Sequence, residues 1–325
     1  MIIARSPLRI TLGGGGTDLP SYYRQHGGFL MAAAIHRHVY VSVHHTFREN
    51  TILRYSQIEE VSSLDEIRHP IIREALRLLD IRERNIEITT MADVPAGTGL
   101  GSSGSFGTAL LKALHRFRAR TIDARALAEM ASHIEIDVLG EPVGKQDTYA
   151  AAFGGVSCYE FMADDTVRVS PLALTPDTVS HMQEHVLLFC THVTRSASAI
   201  LAEQDTRTRG GDSAMIEGLH VVKDIGLRSK AALERGDLQA FGRLMHEHWL
   251  YKKQRSSRMS APEIDRWYQL GLDNGAIGGK LVGAGGGGFL MFMADDPSRL
   301  RAAMARENLR FMELRFDFEG TTIRA

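Results

Sequence analysis

Residues Pro95–Ser105 read PAGTGLGSSGS, and the residues that follow, Ser102 to Phe117 (SSGSFGTALLKALHRF), set Phe106, Leu110, Leu111 and Leu114 at helical spacing. A run of glycine and other small residues exposes successive backbone N–H groups. Here it opens directly into a helix, so Gly101, Ser102 and Ser103 stand at a helix N-terminus. Unpaired amides and the positive end of the helix dipole favour an anion at such a place. Gly99–Gly104 also satisfies G-x-G-x-x-G, but a dinucleotide loop follows a strand that is apolar almost without interruption. Ile86–Met91 (IEITTM) interleaves polar residues and reads as a half-exposed strand. No G-x-x-x-x-G-K-S/T string occurs, so the usual phosphate-binding lysine of a P-loop is absent.

Two further glycine runs lie far from the first: GGGGTD at Gly13–Asp18 and GAGGGG at Gly283–Gly288. Glycine loses more backbone freedom on folding than other residues, so clusters of it are kept where backbone must approach something closely. The third run precedes FLMFMA (Phe289–Ala294), a strand, so no helix dipole assists it. It is expected to shape a wall of a shared site, and the first run to let backbone approach a ligand beside Asp18.

The chain has 325 residues, 44% of them apolar, enough to bury a large core and to form two domains. A net charge of -1 gives no basic excess for nucleic acid. The N-terminus, MIIARSPLRITLGG, reads as a strand rather than a signal peptide, and no apolar run approaches the roughly 18 residues of a membrane helix. A cytoplasmic enzyme is the resulting expectation, with no membrane partner. Cys158 and Cys190 form no disulfide or metal spacing and read as buried free thiols.

Along the first half, the pattern predicts strands at Ile2–Leu12, Val39–Val43, Ile86–Met91 and Val156–Phe161. Helices are predicted from Asp18 (as cap) to His26, Pro70–Leu79, Ser102–Phe117 and Asp123–Leu139, the last ended by Gly140. The second half reads as strand Glu184–Thr191, then helices Ser196–Gln204, Met215–Arg235, Leu238–Gln254 and Ala261–Asn274. A strand Lys280–Gly283 extended by Phe289–Met293, a helix Pro297–Asn308 and a strand Phe311–Phe316 complete it. Asp164, Asp165, Pro171 and Pro176 mark the junction, giving domains 1–168 and 169–325.

With its three glycine motifs in order, the chain resembles the GHMP kinases, the family of galactokinase, homoserine, mevalonate and phosphomevalonate kinases. PAGTGLGSSGS is similar to the central family signature, SPLRITLGGGGTD (6–18) to the first motif and KLVGAGGGGF (280–289) to the third. The versions GGGGTDLPSYY and GKQDTYAAAFGG look most like heptose 7-phosphate kinases, with L-fucokinase-like enzymes close behind. The resemblance implies an α+β, two-domain fold: an N-terminal mixed α/β domain with a left-handed-type βαβ phosphate loop, and a ferredoxin-like C-terminal domain. It also implies ATP and Mg²⁺ as cofactors, a phosphorylated sugar as substrate, and room for a homodimer.

Phosphoryl transfer asks a protein for amide donors, a metal ion and a cation near the γ-phosphate. The family pattern puts the ATP phosphates on Pro95, Gly97, Gly99, Leu100, Gly101, Ser102, Ser103 and Gly104. It puts Mg²⁺ on Ser103 and Glu135, although on spacing alone Ser102 is equally a helix cap and Glu135 equally a solvated helix acid beside Glu129 and Asp137. Asp147 matches the group that accepts the proton of the sugar hydroxyl; spacing alone makes it a helix cap. Arg9 stands where several relatives carry lysine, and its planar fork suits a phosphate or the catalytic carboxylate. Sugar contacts are expected at Gly14, Gly15, Thr17, Asp18, Gly285, Gly286 and Arg195, and a second substrate phosphate at Arg37, Arg195 or Lys253. His36, His38, His44, His246 and His248 lack partners spaced for zinc and read as structural or substrate-edge histidines.

Overall fold

In Ile2–Gly13, every residue from Ser6 onward is buried, and so is every residue of Gly28–Ile35, so these two strands are covered on both faces. The structure, a computed structural model, describes residues 1–193, 197–256 and 258–325. In chain order the first part holds β1 (Ile2–Gly13), α1 (Pro20–His26), β2 (Gly28–His45), β3 (Thr51–Arg54), β4 (Ile58–Val61), α2 (Pro70–Leu78) and β5 (Ile86–Ala92). It continues with α3 (Ser102–Phe117), α4 (Ala124–His133), a π-helical turn (Ile134–Val138), α5 (Gln146–Phe153), β6 (Val156–Phe161) and β7 (Val167–Pro171). The second part holds α6 (Pro176–His185), β8 (Val186–Cys190), α7 (Ala197–Arg209), α8 (Ser213–Glu234), α9 (Leu238–Gln254) and α10 (Pro262–Asp273). After them come β9 (Ala276–Leu281), β10 (Phe289–Ala294), α11 (Pro297–Arg306), β11 (Arg310–Met312) and β12 (Thr322–Ile323).

The first sheet has eight strands in the order β12-β1-β2-β5-β3-β4, with β6 also on β2 and β7 on β6. β5 and β6 both run antiparallel to β2, at its two ends, so they point the same way, and the Pro95 loop with α3–α5 connects them. The second sheet, β11-β8-β10-β9, has only antiparallel neighbours, and its order, with helices between β8 and β9 and between β10 and β11, is the ferredoxin-like one. One face of the first sheet packs on α2–α5 through residues such as Val41, Ile88, Leu110 and Leu114. Its other face shares a core with the second part, where Leu8, Ile10 and Met31 meet Leu188, Ile225, Phe289 and Met291. The three glycine loops meet along that seam.

Several expectations are revised. Lys280–Gly283 does not extend into Phe289–Met293 as one strand: Gly283, Gly285, Gly286 and Gly288 all take positive φ and fold the chain back, pairing Leu281 with Leu290. Asp18 does not cap α1, whose cap position is Leu19; its carboxylate turns inward instead. The helix expected to run to Leu139 ends at His133 and passes into the π-helical turn. The junction segment is more regular than its prolines suggested, because Pro171 ends an edge strand and Pro176 opens α6, both places where a missing N–H costs nothing. A division at 168/169 cuts through β7, and β12 returns from the far end of the chain to pair with β1.

Candidate active site

Gly101, the N-cap of α3, has φ +77°, and a side chain there would stand 3.0 Å from Arg9 Cγ and 3.3 Å from Asp147 Cγ. That closeness forms the centre of the site. Arg9, 4% exposed on β1, donates from Nε to Asp147 Oδ1 at 2.8 Å, with Nη2 in ion-pair contact with the same oxygen at 2.7 Å, and donates from Nη1 to the Gly99 carbonyl at 2.5 Å. Asp147 lies in the first turn of α5, and its Oδ2 has no donor among the described residues. The Leu100 carbonyl accepts from the Arg9 backbone N–H, so strand, loop and helix are held in one register. Pro95, Gly97, Gly99, Gly101, Ser102 and Ser103 line a cavity of about 910 Å³ together with Arg9 and Asp147.

Ser103 donates a hydrogen bond to Glu135, which the π-helical turn brings inward. The two neighbouring acids face elsewhere: Glu129 accepts from Lys145 and Tyr149, and Asp137 pairs with His133 in solvent. Burial pushes Glu135 up to about 7 in spite of the Ser103 hydrogen bond, with the charges of Asp147 and Glu141 adding to the shift. A buried carboxylate beside a hydroxyl is a hard oxygen pair that a divalent cation would relieve of its burial cost, and it fits Mg²⁺, which takes few protein ligands. Among the described residues no three His, Cys, Asp or Glu side chains gather into a metal site of their own.

Asp18 lines the same cavity, 2% exposed, and accepts from the amides of Gly16 (3.2 Å) and Gln146 (3.3 Å). Burial, helped by the Asp147 charge, pushes it up to about 6. Gly15 lines the cavity beside it, whereas Gly14 and Thr17 do not. The Thr17 hydroxyl donates within the fold to the carbonyls of Gly14 and Phe29, and Gly14 packs on Phe29 and Leu30. Gly285 and Gly286 likewise pack on Met259 rather than line the cavity, and from their loop Gly283 and Ala284 face it instead. Leu100 and Gly104 lie behind the loop, Gly104 against Asp147, where a side chain would come within 2.7 Å. Arg195 falls outside the described residues. Arg37 donates to the His36 carbonyl and Lys253 pairs with Asp265, both away from the cavity.

Two groups of lining residues were missed from sequence. Lys252 and Arg255, from the end of α9, and Lys280, on β9, are buried cations whose ammonium or guanidinium groups bond backbone carbonyls: Leu281 and Gly283, Gly15, and Leu12 respectively. Burial and the charges of Arg255 and Arg9 push Lys280 down to about 7, and burial with the charges of Lys280 and Arg255 lowers Lys252 and the adjoining His248. In a sequence a helical lysine reads as a solvated one, so only the tertiary seam reveals them. The second group is aromatic: His69 sits 4.8 Å from Tyr55 and 5.0 Å from Phe106, ring centre to ring centre, at the end of the cavity beyond Pro95.

Similarity to known proteins agrees with this geometry. Residues 70–155 match the GHMP kinases N terminal domain, and residues 229–310 the GHMP kinases C terminal. D-glycero-alpha-D-manno-heptose 7-phosphate kinase of Campylobacter jejuni is 30% identical over 98% of this chain and 97% of its own. The L-fucokinase/L-fucose-1-P guanylyltransferase of Bacteroides fragilis is 29% identical over 98% of this chain, which spans 38% of that enzyme. Among solved structures, a D-glycero-D-manno-heptose 1-phosphate kinase from Bacteroides thetaiotaomicron superposes with a TM-score of 0.81 at 26% identity, covering 100% of this chain and 99% of that one.

Proposed function

Because the chain belongs to the GHMP kinase family and is a sugar kinase that uses ATP, we propose that it phosphorylates the anomeric hydroxyl of D-glycero-D-manno-heptose 7-phosphate, giving the 1,7-bisphosphate. The product would feed nucleotide-activated heptose for a bacterial surface polysaccharide. The observation that carries the substrate choice is end-to-end similarity to a heptose 7-phosphate kinase, supported by the fold shared with a heptose phosphate kinase of known structure.

On this reading the loop amides from Gly97 to Ser103 hold the ATP phosphates, and the Tyr55–His69–Phe106 group clasps the base. Ser103 and Glu135 hold Mg²⁺, which when bound neutralises charge on the phosphate oxygens. Asp18 bonds sugar hydroxyls. The anomeric oxygen attacks the γ-phosphorus, a new O–P bond forms, and the bond to the β–γ bridging oxygen breaks to release ADP. The hydroxyl proton passes to Asp147 through Oδ2, the oxygen Arg9 leaves free. Arg9 keeps the carboxylate aimed and lends positive charge beside the transferring group.

The test is ATP consumption with heptose 7-phosphate, unphosphorylated heptose, L-fucose, galactose and mevalonate, with the product followed by phosphorus NMR. Turnover is expected with heptose 7-phosphate and a new anomeric phosphate signal. Turnover confined to unphosphorylated sugars overturns the reading and favours the fucokinase-like alternative.

A further inference from the structure

Among the described residues two arginines face the cavity, and they are bonded alike at one corner. Arg9 gives Nη1 to a carbonyl of the middle glycine loop and lays its Nε–Nη2 edge on Asp147. Arg255 gives Nη1 to a carbonyl of the first glycine loop, Gly15, at 3.3 Å. Its Nε and Nη2, neighbours along the same edge of the fork, are buried and meet no acceptor among the described residues. That edge is the one by which a guanidinium grips two oxygens of a phosphate or carboxylate at once.

The setting is built for an anion. Arg255 is 4% exposed, and no carboxylate stands at ion-pairing distance from it or from Lys252 and Lys280 among the described residues. Burial pushes the Arg255 guanidinium down to about 10, against the opposing influence of Tyr22 and Asp18. A buried donor is costly to leave without a partner, so two on one edge ask for a ligand. Gly16 makes the approach, since a side chain there would stand 2.7 Å from Arg255 Nη1. Arg255 therefore belongs to the Gly15–Asp18 side of the cavity, whereas Lys252 bonds Gly283, which abuts Gly99 on the phosphate-loop side.

We propose that the Nε–Nη2 edge of Arg255 seats the phosphate that the acceptor sugar already carries, so that Arg255 selects phosphorylated over unphosphorylated sugars. The proposal rests on the kinase reading above. The sugar then extends from its anomeric hydroxyl at Asp147, past Asp18, to its phosphate at Arg255. A sugar without that phosphate leaves the fork unpaired, and sites built around a polar partner reject analogues that lack it far more strongly than apolar pockets do.

Arg255→Met and Arg255→Lys are compared with the unaltered enzyme for kcat/KM on heptose 7-phosphate and on unphosphorylated heptose. The ratio of the two is expected to fall about 100-fold in Arg255→Met and about tenfold in Arg255→Lys, which keeps the charge but not the edge. A ratio within threefold of the original in either folded variant overturns the proposal. Inorganic phosphate supplies a readout independent of the sugar: it should raise the thermal midpoint of the unaltered protein by more than that of Arg255→Met, in which only the glycine-loop site remains to bind it. Equal rises in both overturn it. If the unaltered enzyme ignores heptose 7-phosphate, the substrate reading fails, while a smaller phosphate-dependent rise in Arg255→Met still supports an anion on this fork.

Discussion

At the scale of single residues, the chemistry turns on how one carboxylate is divided. Arg9 holds Oδ1 of Asp147 through one hydrogen bond and an ion-pair contact, and leaves Oδ2 without a donor among the described residues, in a side chain that lines the cavity. Asp147→Ala is therefore expected to keep nucleotide affinity, measured calorimetrically, and to lose turnover by roughly 10²–10⁴-fold, the usual worth of a general base. Near-normal turnover would remove Asp147 from that role. Spacing alone left Asp147 as a helix cap, because its partner is 138 positions away and no local pattern announces a pair so distant. Glu135 was equally ambiguous beside Glu129 and Asp137. The π-helical turn resolves it by adding a residue to the local repeat, which turns Glu135 in toward Ser103 while Asp137 faces solvent.

At the scale of elements, the loop and helix opened by Pro95 were legible because a glycine run followed by helical periodicity has few other readings, and α3 spans Ser102–Phe117 as expected. α9 was equally plain, with Leu238 following an Asp237 cap that accepts from Ala240. The Gly283–Gly288 hairpin was not, since glycines say that a chain turns without saying which strands it joins. The loop's own glycines differ in duty. Gly97 and Gly101 both hold positive φ, but a side chain at Gly97 meets nothing within 4 Å. Each alanine pays about 1–2 kcal/mol for the left-handed backbone. Gly97→Ala is expected to raise KM for ATP with kcat largely kept. Gly101→Ala, which presses on Arg9 and Asp147, should lower kcat at least tenfold more than Gly97→Ala does. Steady-state kinetics with both variants checks this, and equal kcat values would refute the distinction.

At the scale of the whole molecule, two sheets share one core and the last residues bind the first sheet. Asp317 accepts from His38 at 2.8 Å and from the amides of Glu319 and Gly320, and Thr321 bonds Ser6. Burial opposes ionisation of Asp317, yet those hydrogen bonds hold its carboxyl below the ordinary 3.8. A lowered folded value means stability that is complete above about pH 4 and lost as pH falls through the folded value. Asp317→Ala should cost about 3 kcal/mol at neutral pH, the scale of breaking a buried pair. It should also flatten the loss of stability in acid, both read from denaturant unfolding. An unchanged midpoint would show the tail to be incidental. The sequence hid this return because a two-residue strand has no periodicity, and so a division into consecutive halves was the natural reading. The pairing of β12 with β1 has a consequence for biosynthesis. The ribosome makes the strand bearing Arg9 long before the strand that closes its edge, since Arg5 pairs with Thr322. Until β12 has been made, β1 waits with one row of backbone groups open to mispairing, so its edge is the exposed one while the intervening chain is synthesised.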